Sequence, residues 1–214
     1  MYNLLLQSDL VKQSYKKIEQ DEQISGTAKH DLSHVLSVVD LVEKVLVQLD
    51  VDDAFIQASK IAALLHDLGC VDGKKDHALN SYNIVEDYIQ KEQLNLAYQR
   101  EILEAIRDHG SSFDSESLMT LALIMCDKID LRKQRLAPEG FETIGIRQLK
   151  YIEDINVLIH NGECIVNFTA HQDIDLEELN RFKFLDKTFA SIDAFARFNN
   201  LEAIIQMNKQ SSLR

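Results

Sequence analysis

Ile61-Ala62-Ala63-Leu64-Leu65-His66-Asp67-Leu68-Gly69 is the stretch on which the reading of this chain turns. A strongly apolar helix runs into two titratable side chains and then into glycine, a common residue at helix ends. Neighbouring side chains on a helix point about 100° apart, so His66 and Asp67 can face one ion only near a helix terminus, where the backbone is less regular. Their position satisfies that condition. Taken alone, the pair reads more simply as a solvated cap.

Working outward, apolar residues recur at helical spacing through 28–49, at Val35, Val38, Leu41, Val42, Val45 and Leu49, and again through 52–67, at Ala54, Ala58, Ile61, Ala62 and Leu65. Further helices are expected over 4–19, 77–92, 97–109 and 115–136, with Gly110 and Pro138 as terminators and loops at 23–26 and 70–76. One proline and seven glycines in 214 residues fit long helices on short connections. After Pro138 the pattern changes. Asn161-Gly162 between two extended runs is a strong hairpin signal, and a two-residue turn pairs Ile159 with Cys164, Val157 with Val166 and Ile155 with Phe168, all on one face. From Asp175 a helix resumes, with Leu179, Phe182, Leu185, Phe189, Ile192 and Ala196 on an apolar stripe read as core. The expectation is an all-α bundle over 1–140 with a small β-hairpin and helix appendage over 141–214 packed on it.

Several polar residues sit where an apolar face belongs. His34 shares the stripe of Val38, Leu41 and Val45, and His30 lies one turn earlier; a lone histidine there is more often a hydrogen-bonded core residue than a ligand. Asp127 follows Leu121-Ala122-Leu123-Ile124-Met125-Cys126, and a carboxylate in so apolar a helix costs several kcal/mol unless a cation or donors meet it. His109 closes one helix and His77 opens another. Five of the seven histidines fall between His30 and His109, each near a helix end or on a core-facing stripe, and a bundle can converge such positions on one pocket.

The order His34, His66-Asp67, Asp127 resembles the H…HD…D signature of the HD superfamily of metal-dependent phosphohydrolases. Ala62 to Gly69 is similar to the family's doublet segment and Ile124-Met125-Cys126-Asp127-Lys128-Ile129-Asp130 to its final aspartate segment. His77, followed by Ala78-Leu79-Asn80-Ser81, and His109, preceded by Ala105-Ile106-Arg107-Asp108, resemble the additional histidines of the binuclear branch. Two departures stand out: Ser37 and Cys70 occupy positions where many members carry arginine and lysine. The resemblance implies a divalent transition metal, one or two ions of Fe, Mn, Co or Zn, held by His34, His66, Asp67, His77, His109 and Asp127. It also implies catalytic roles for His66 and Asp67 and hydrolysis of a phosphoester or phosphoanhydride of a nucleotide-type substrate by hydroxide activated at the metal. The alternatives from the same resemblance are a nucleotide-binding regulator without turnover and a di-iron oxygenase.

Lys128, Arg132 and Arg135 recur at helical spacing beyond Asp127 and could form one phosphate-clamping face, with Lys128 and Arg132 the substrate-binding candidates. A net charge of −12 disfavours nucleic-acid polymers and anionic membranes, so the expected partner is a small phosphorylated molecule drawn to a local positive site. A homodimer is an open alternative to a monomer. Three widely spaced cysteines, no export pattern at the start and apolar runs such as 121–126 far shorter than a bilayer span read as a soluble, cytoplasmic protein.

Overall fold

The computed structural model describes residues 1–110 and 112–210. Helix starts follow local chemistry. Ser8, Asp31, Asp52 and Ser117 each accept a backbone N–H with their side chains, opening α2 (Asp9–Ile24), α3 (Leu32–Gln48), α4 (Asp53–Leu65) and α7 (Leu118–Ile129). The Ser8 cap also divides the single helix expected over 4–19 into α1 (Tyr2–Leu6) and α2, and α2 extends to Ile24, two residues into the loop expected over 23–26. Between α4 and α7 lie α5 (His77–Lys91) and α6 (Gln99–Asp108).

Two helix boundaries differ from expectation in ways that matter for the site. Gly69 does not cap α4, which stops at Leu65; it sits inside a 3₁₀ turn, Leu68–Asp72, that fills part of the expected loop. Glycine is needed there because a Cβ would lie 2.2 Å from the His77 carbonyl oxygen and 2.5 Å from the Ser81 nitrogen. The Gly69 N–H donates to Ser81 Oγ at 2.8 Å, so the start of α5 is drawn against the end of α4. Likewise α7 ends at Ile129 rather than near Leu136, because Asp130 leaves helical geometry with ψ 76° and its carboxylate accepts from His34 and Arg132.

The bundle core is continuous. Val38, Val42, Val45, Ala62, Leu64, Ile102, Ile106, Met119 and Ile124 are fully or almost fully buried, and Tyr15 closes it by donating its hydroxyl to Leu64 O at 2.7 Å. The stretch Asp53–Asp72 is long and apolar enough to cross a bilayer, but 72% of its apolar window is buried inside the protein, as expected for a core helix.

The appendage contains the anticipated hairpin, β1 (Ile152–His160) and β2 (Glu163–His171), with Ile159 opposite Cys164, Val157 opposite Val166 and Ile155 opposite Phe168. Asn161 and Gly162 both take positive φ, 52° and 83°, the requirement of the tight turn. The single helix expected after Asp175 is instead two, α8 (Leu176–Leu179) and α9 (Phe184–Phe198), separated by the Asn180–Lys183 connection. Phe189, assigned to the buried stripe, is 38% exposed. A third strand, β3 (Glu202–Gln210), pairs in parallel with β2 and makes a mixed sheet of order β1-β2-β3. Gln48 of α3 fixes this sheet to the bundle, donating to Val157 O and accepting from Ile159 N. Thr188 of α9 does so from the other side by donating to Lys128 O at 3.1 Å.

Candidate metal centre

Five helices contribute ends or faces to one cluster, most of it buried. Asp31 caps α3 through the His34 N–H and so sets the rotation of the first turn, from which the His34 side chain enters. His66 and Asp67 follow α4, His109 is the C-terminal cap residue of α6, His77 is the first residue of α5 and Asp127 lies in the last turn of α7. His66 and His109 are completely buried and Asp67 is 1% exposed.

The histidines are oriented from behind. Nδ1 of His66, His77 and His109 each lies 2.7–3.0 Å from the carbonyl of the residue three positions earlier, and Nδ1 of His34 lies 2.7 Å from Asp130 Oδ2. A nitrogen facing a carbonyl or carboxylate oxygen must carry the proton, which leaves each Nε2 of a neutral ring with a lone pair pointing inward.

These lone pairs form two groups joined by one carboxylate. His34 Nε2 is 3.1 Å from Asp127 Oδ1 and 3.7 Å from Asp67 Oδ2; His66 Nε2 is 3.8 Å and 3.2 Å from the same two atoms. The second group uses the other oxygen: Asp67 Oδ1 lies 3.5 Å from His77 Nε2 and 3.7 Å from His109 Nε2, and the two imidazole nitrogens are 3.0 Å apart. Ligands bonded at about 2.1 Å stand about 3.0 Å apart at right angles and about 3.4 Å apart at the tetrahedral angle. The observed separations suit an ion in each group. Among the described residues His66 Nε2 and Asp67 Oδ2 are buried without a hydrogen-bond partner, and two facing acceptor nitrogens at 3.0 Å repel unless a cation lies between them.

The electrostatics agree. Burial, with the neighbouring His66 charge, holds His109 down to about 3, so its ring is neutral and able to ligate. Burial opposes charge on His66, yet Asp67 and Asp127 beside it outweigh that and raise it to about 10; when the site lacks a metal, a proton takes up the cation's place.

All six residues expected as ligands, His34, His66, Asp67, His77, His109 and Asp127, therefore converge. His30 sits beside them, its ring 6.2 Å from those of both His34 and His77, with Nδ1 2.6 Å from Glu22 Oε1 and its N–H donated to Glu22 Oε2. Lys128 and Arg132 do not project together as a helical clamp. The Lys128 ammonium is buried on Asp127 Oδ2 at 2.5 Å, while Arg132, past the end of α7, donates Nε to Asp130 Oδ1 at 2.8 Å. Asp130, the partner of His34 Nδ1, was not singled out from sequence; its place immediately beyond the Asp127 helix was the available signal.

A helical bundle that gathers imidazoles and carboxylates from helix ends around a shared aspartate defines a class, the helical His/Asp metal-binding domains. Within that class the chain belongs to the HD domain family, whose model matches residues 31–140. No curated protein sequence matches it. Among solved structures, one similar chain is a predicted HD superfamily hydrolase from an uncultured Thermotogales bacterium, 23% identical, with a TM-score of 0.46 over 58% of this chain and 66% of that one.

Proposed function

We propose that this protein is a metal-dependent phosphohydrolase that cleaves a phosphoester or phosphoanhydride bond of a small nucleotide-type substrate. The observation that carries the reading is Asp67, whose two oxygens serve two separate sets of inward-facing Nε2 lone pairs. Imidazole and carboxylate donors suit Fe, Mn, Co or Zn. When bound, such ions lower the pKa of water to near neutrality and withdraw charge from phosphoryl oxygens.

The chain's own residues supply orientation and charge balance. Asp130 holds the His34 ring in the tautomer that leaves Nε2 free. Lys128 occupies the outer oxygen of Asp127, so this carboxylate offers one oxygen inward while its charge is partly offset. His66 and Asp67, adjacent at the α4 terminus, hold the reacting centre. Aromatic and aliphatic side chains from the appendage, Leu149, Phe182 and Phe184, border the same cleft as Asp127 and His30. That placement favours an enzyme whose appendage serves the site over a regulator that uses the appendage elsewhere. The three cysteines are buried thiols, in keeping with a cytoplasmic protein.

Metal analysis of protein purified without chelator, combined with a panel of nucleotide mono-, di- and polyphosphates, tests this reading. Bound transition metal and release of phosphate or nucleotide, both abolished in the His66→Ala/Asp67→Ala double variant, are the expected result. Metal-free protein with no hydrolysis after reconstitution would overturn it, and oxygen consumption without phosphate release would replace it with the oxygenase reading.

A further inference from the structure

The cleft beside the metal centre has two chemically distinct sides. One is lined by His30, Asp127, Asp130 and the cations Lys74 and Arg135; the other by Leu131, Leu149, Phe182 and Phe184, and the cleft volume is 210 Å³. Of the cations near this centre, Lys128 is committed to Asp127 and Arg132 to Asp130. Lys74 donates to Ala28 O and stands 3.2 Å from Glu22.

Arg135 differs in lining the cleft, which Arg132 does not, and in lacking a close carboxylate: it is 8% exposed and its Nη2 reaches no nearer than 3.6 Å to Asp127 Oδ1. Its Nη1, like Nη2 of Arg132, is buried with no hydrogen-bond partner among the described residues. A guanidinium carries five N–H donors and is costly to bury with donors idle. The charge of Asp127 is already shared with Lys128, so the positive charge of Arg135 is available to the cleft. Its position is pinned from the backbone, where the Lys29 N–H donates to Arg135 O at 2.8 Å. Such a fork, preorganised beside a metal centre, matches the oxygens of a phosphate group.

Phe182, in the connection between α8 and α9, and Phe184, the first residue of α9, lie almost parallel, ring centroids 5.6 Å apart and inclined by 18°. Both are half-buried, and Lys128 Nζ stands 5.9 Å from the Phe184 centroid while bonded to Asp127, so ring and ligand carboxylate share one neighbour. An aromatic wall at that distance suits a flat ring attached to the phosphate. The volume lies below the roughly 300 Å³ at which pockets for larger ligands begin, which fits one ring and one phosphate rather than two nucleosides.

We propose that this cleft is the substrate subsite, with Arg135 binding a nonbridging phosphate oxygen and the Phe182–Phe184 pair selecting a planar base, so that the preferred substrate is of nucleoside monophosphate size. The proposal rests on the phosphohydrolase reading for its chemistry. Its geometry is tested by binding, separately from turnover.

The probes are inorganic phosphate, a nonhydrolysable adenine nucleoside phosphonate and the same phosphonate without the base, titrated calorimetrically into metal-loaded protein. The base should strengthen binding about tenfold. Phe182→Leu/Phe184→Leu should erase that advantage and leave phosphate binding unchanged. Arg135→Gln should weaken all three probes about tenfold or more, with metal content and melting temperature retained, and Arg135→Lys should recover part of the loss. Equal affinity for the two phosphonates in the wild type, or phosphate binding indifferent to Arg135→Gln, overturns the proposal. If Arg135→Gln does not fold, Arg135→Lys and the two phosphonates still decide. Should the probes bind as expected while no ester is hydrolysed, the hydrolase reading falls and the subsite stands.

Discussion

Gly69→Ala is a one-methyl perturbation whose effect can be worked through the site. The added Cβ would stand 2.2 Å from His77 O and 2.5 Å from Ser81 N, whereas real Cβ contacts are essentially never closer than 3.0 Å. Both obstacles are backbone atoms of α5, so the relief is a displacement of that helix start by about 1 Å, with an overpacking cost of about 1–3 kcal/mol. For a chain of this size that corresponds to a fall in melting temperature of about 2–10 °C. The same displacement carries His77 away from its 3.0 Å approach to His109 and its 3.5 Å approach to Asp67. His34, His66 and Asp127 come from other elements and stay in place. The expected result, read by elemental analysis and metal titration, is selective loss of the ion held by His77 and His109 while the other is kept. A Gly69→Ala protein that binds both ions with wild-type affinity and melts at the wild-type temperature would refute the packing reasoning.

Asp130→Asn removes the carboxylate that orients His34 without touching a ligand, and metal affinity at the His34 group should drop about 10–100-fold in a competition titration. The raised pKa of His66, about 10 against an ordinary 6.5, means that its pairing with Asp67 stabilises metal-free protein fully below pH 6.5 and that this contribution is lost as pH rises through 10. Metal binding at pH 7.5 should therefore release about one proton from this histidine, seen as a dependence of calorimetric heat on buffer ionisation enthalpy; no such dependence would contradict it. Glu178 is held down to about 2 by the Arg147 guanidinium and then the Gly145 N–H, below its ordinary 4.5. With a depressed folded-state value, its contribution is present above pH 4.5 and disappears as pH falls towards 2, so the melting curves of wild type and Glu178→Gln should differ at pH 7 and converge near pH 2.

The features legible in the sequence were those governed by local rules. Asn161-Gly162 selects a turn whose geometry dictates the pairing of Ile155, Val157 and Ile159, so the register could be read before any tertiary contact was known. The candidate ligands that converge were legible because His66-Asp67 and Asp127 interrupt otherwise apolar runs. What escaped depended on distant partners. The end of α7 is imposed by His34, 96 residues away, drawing Asp130 out of helical geometry. With α7 ended there, the helical spacing of Lys128, Arg132 and Arg135 does not translate into one face. Strand β3 was missed because its partner, β2, is reached only across α9, with no tight turn to announce the pairing. Gly69 was legible as a special residue, but its reason lies in His77 and Ser81, which no local pattern discloses.

Because the paired oxygens of Asp67 face opposite groups, ions placed in both groups would be energetically coupled. Loading one freezes the rotation of a side chain the other also needs, while adding a positive charge a few ångströms from it. Where one effect outweighs the other, saturation curves depart from two independent sites, and by reciprocity loading the first group changes affinity at the second by the same factor that loading the second changes it at the first.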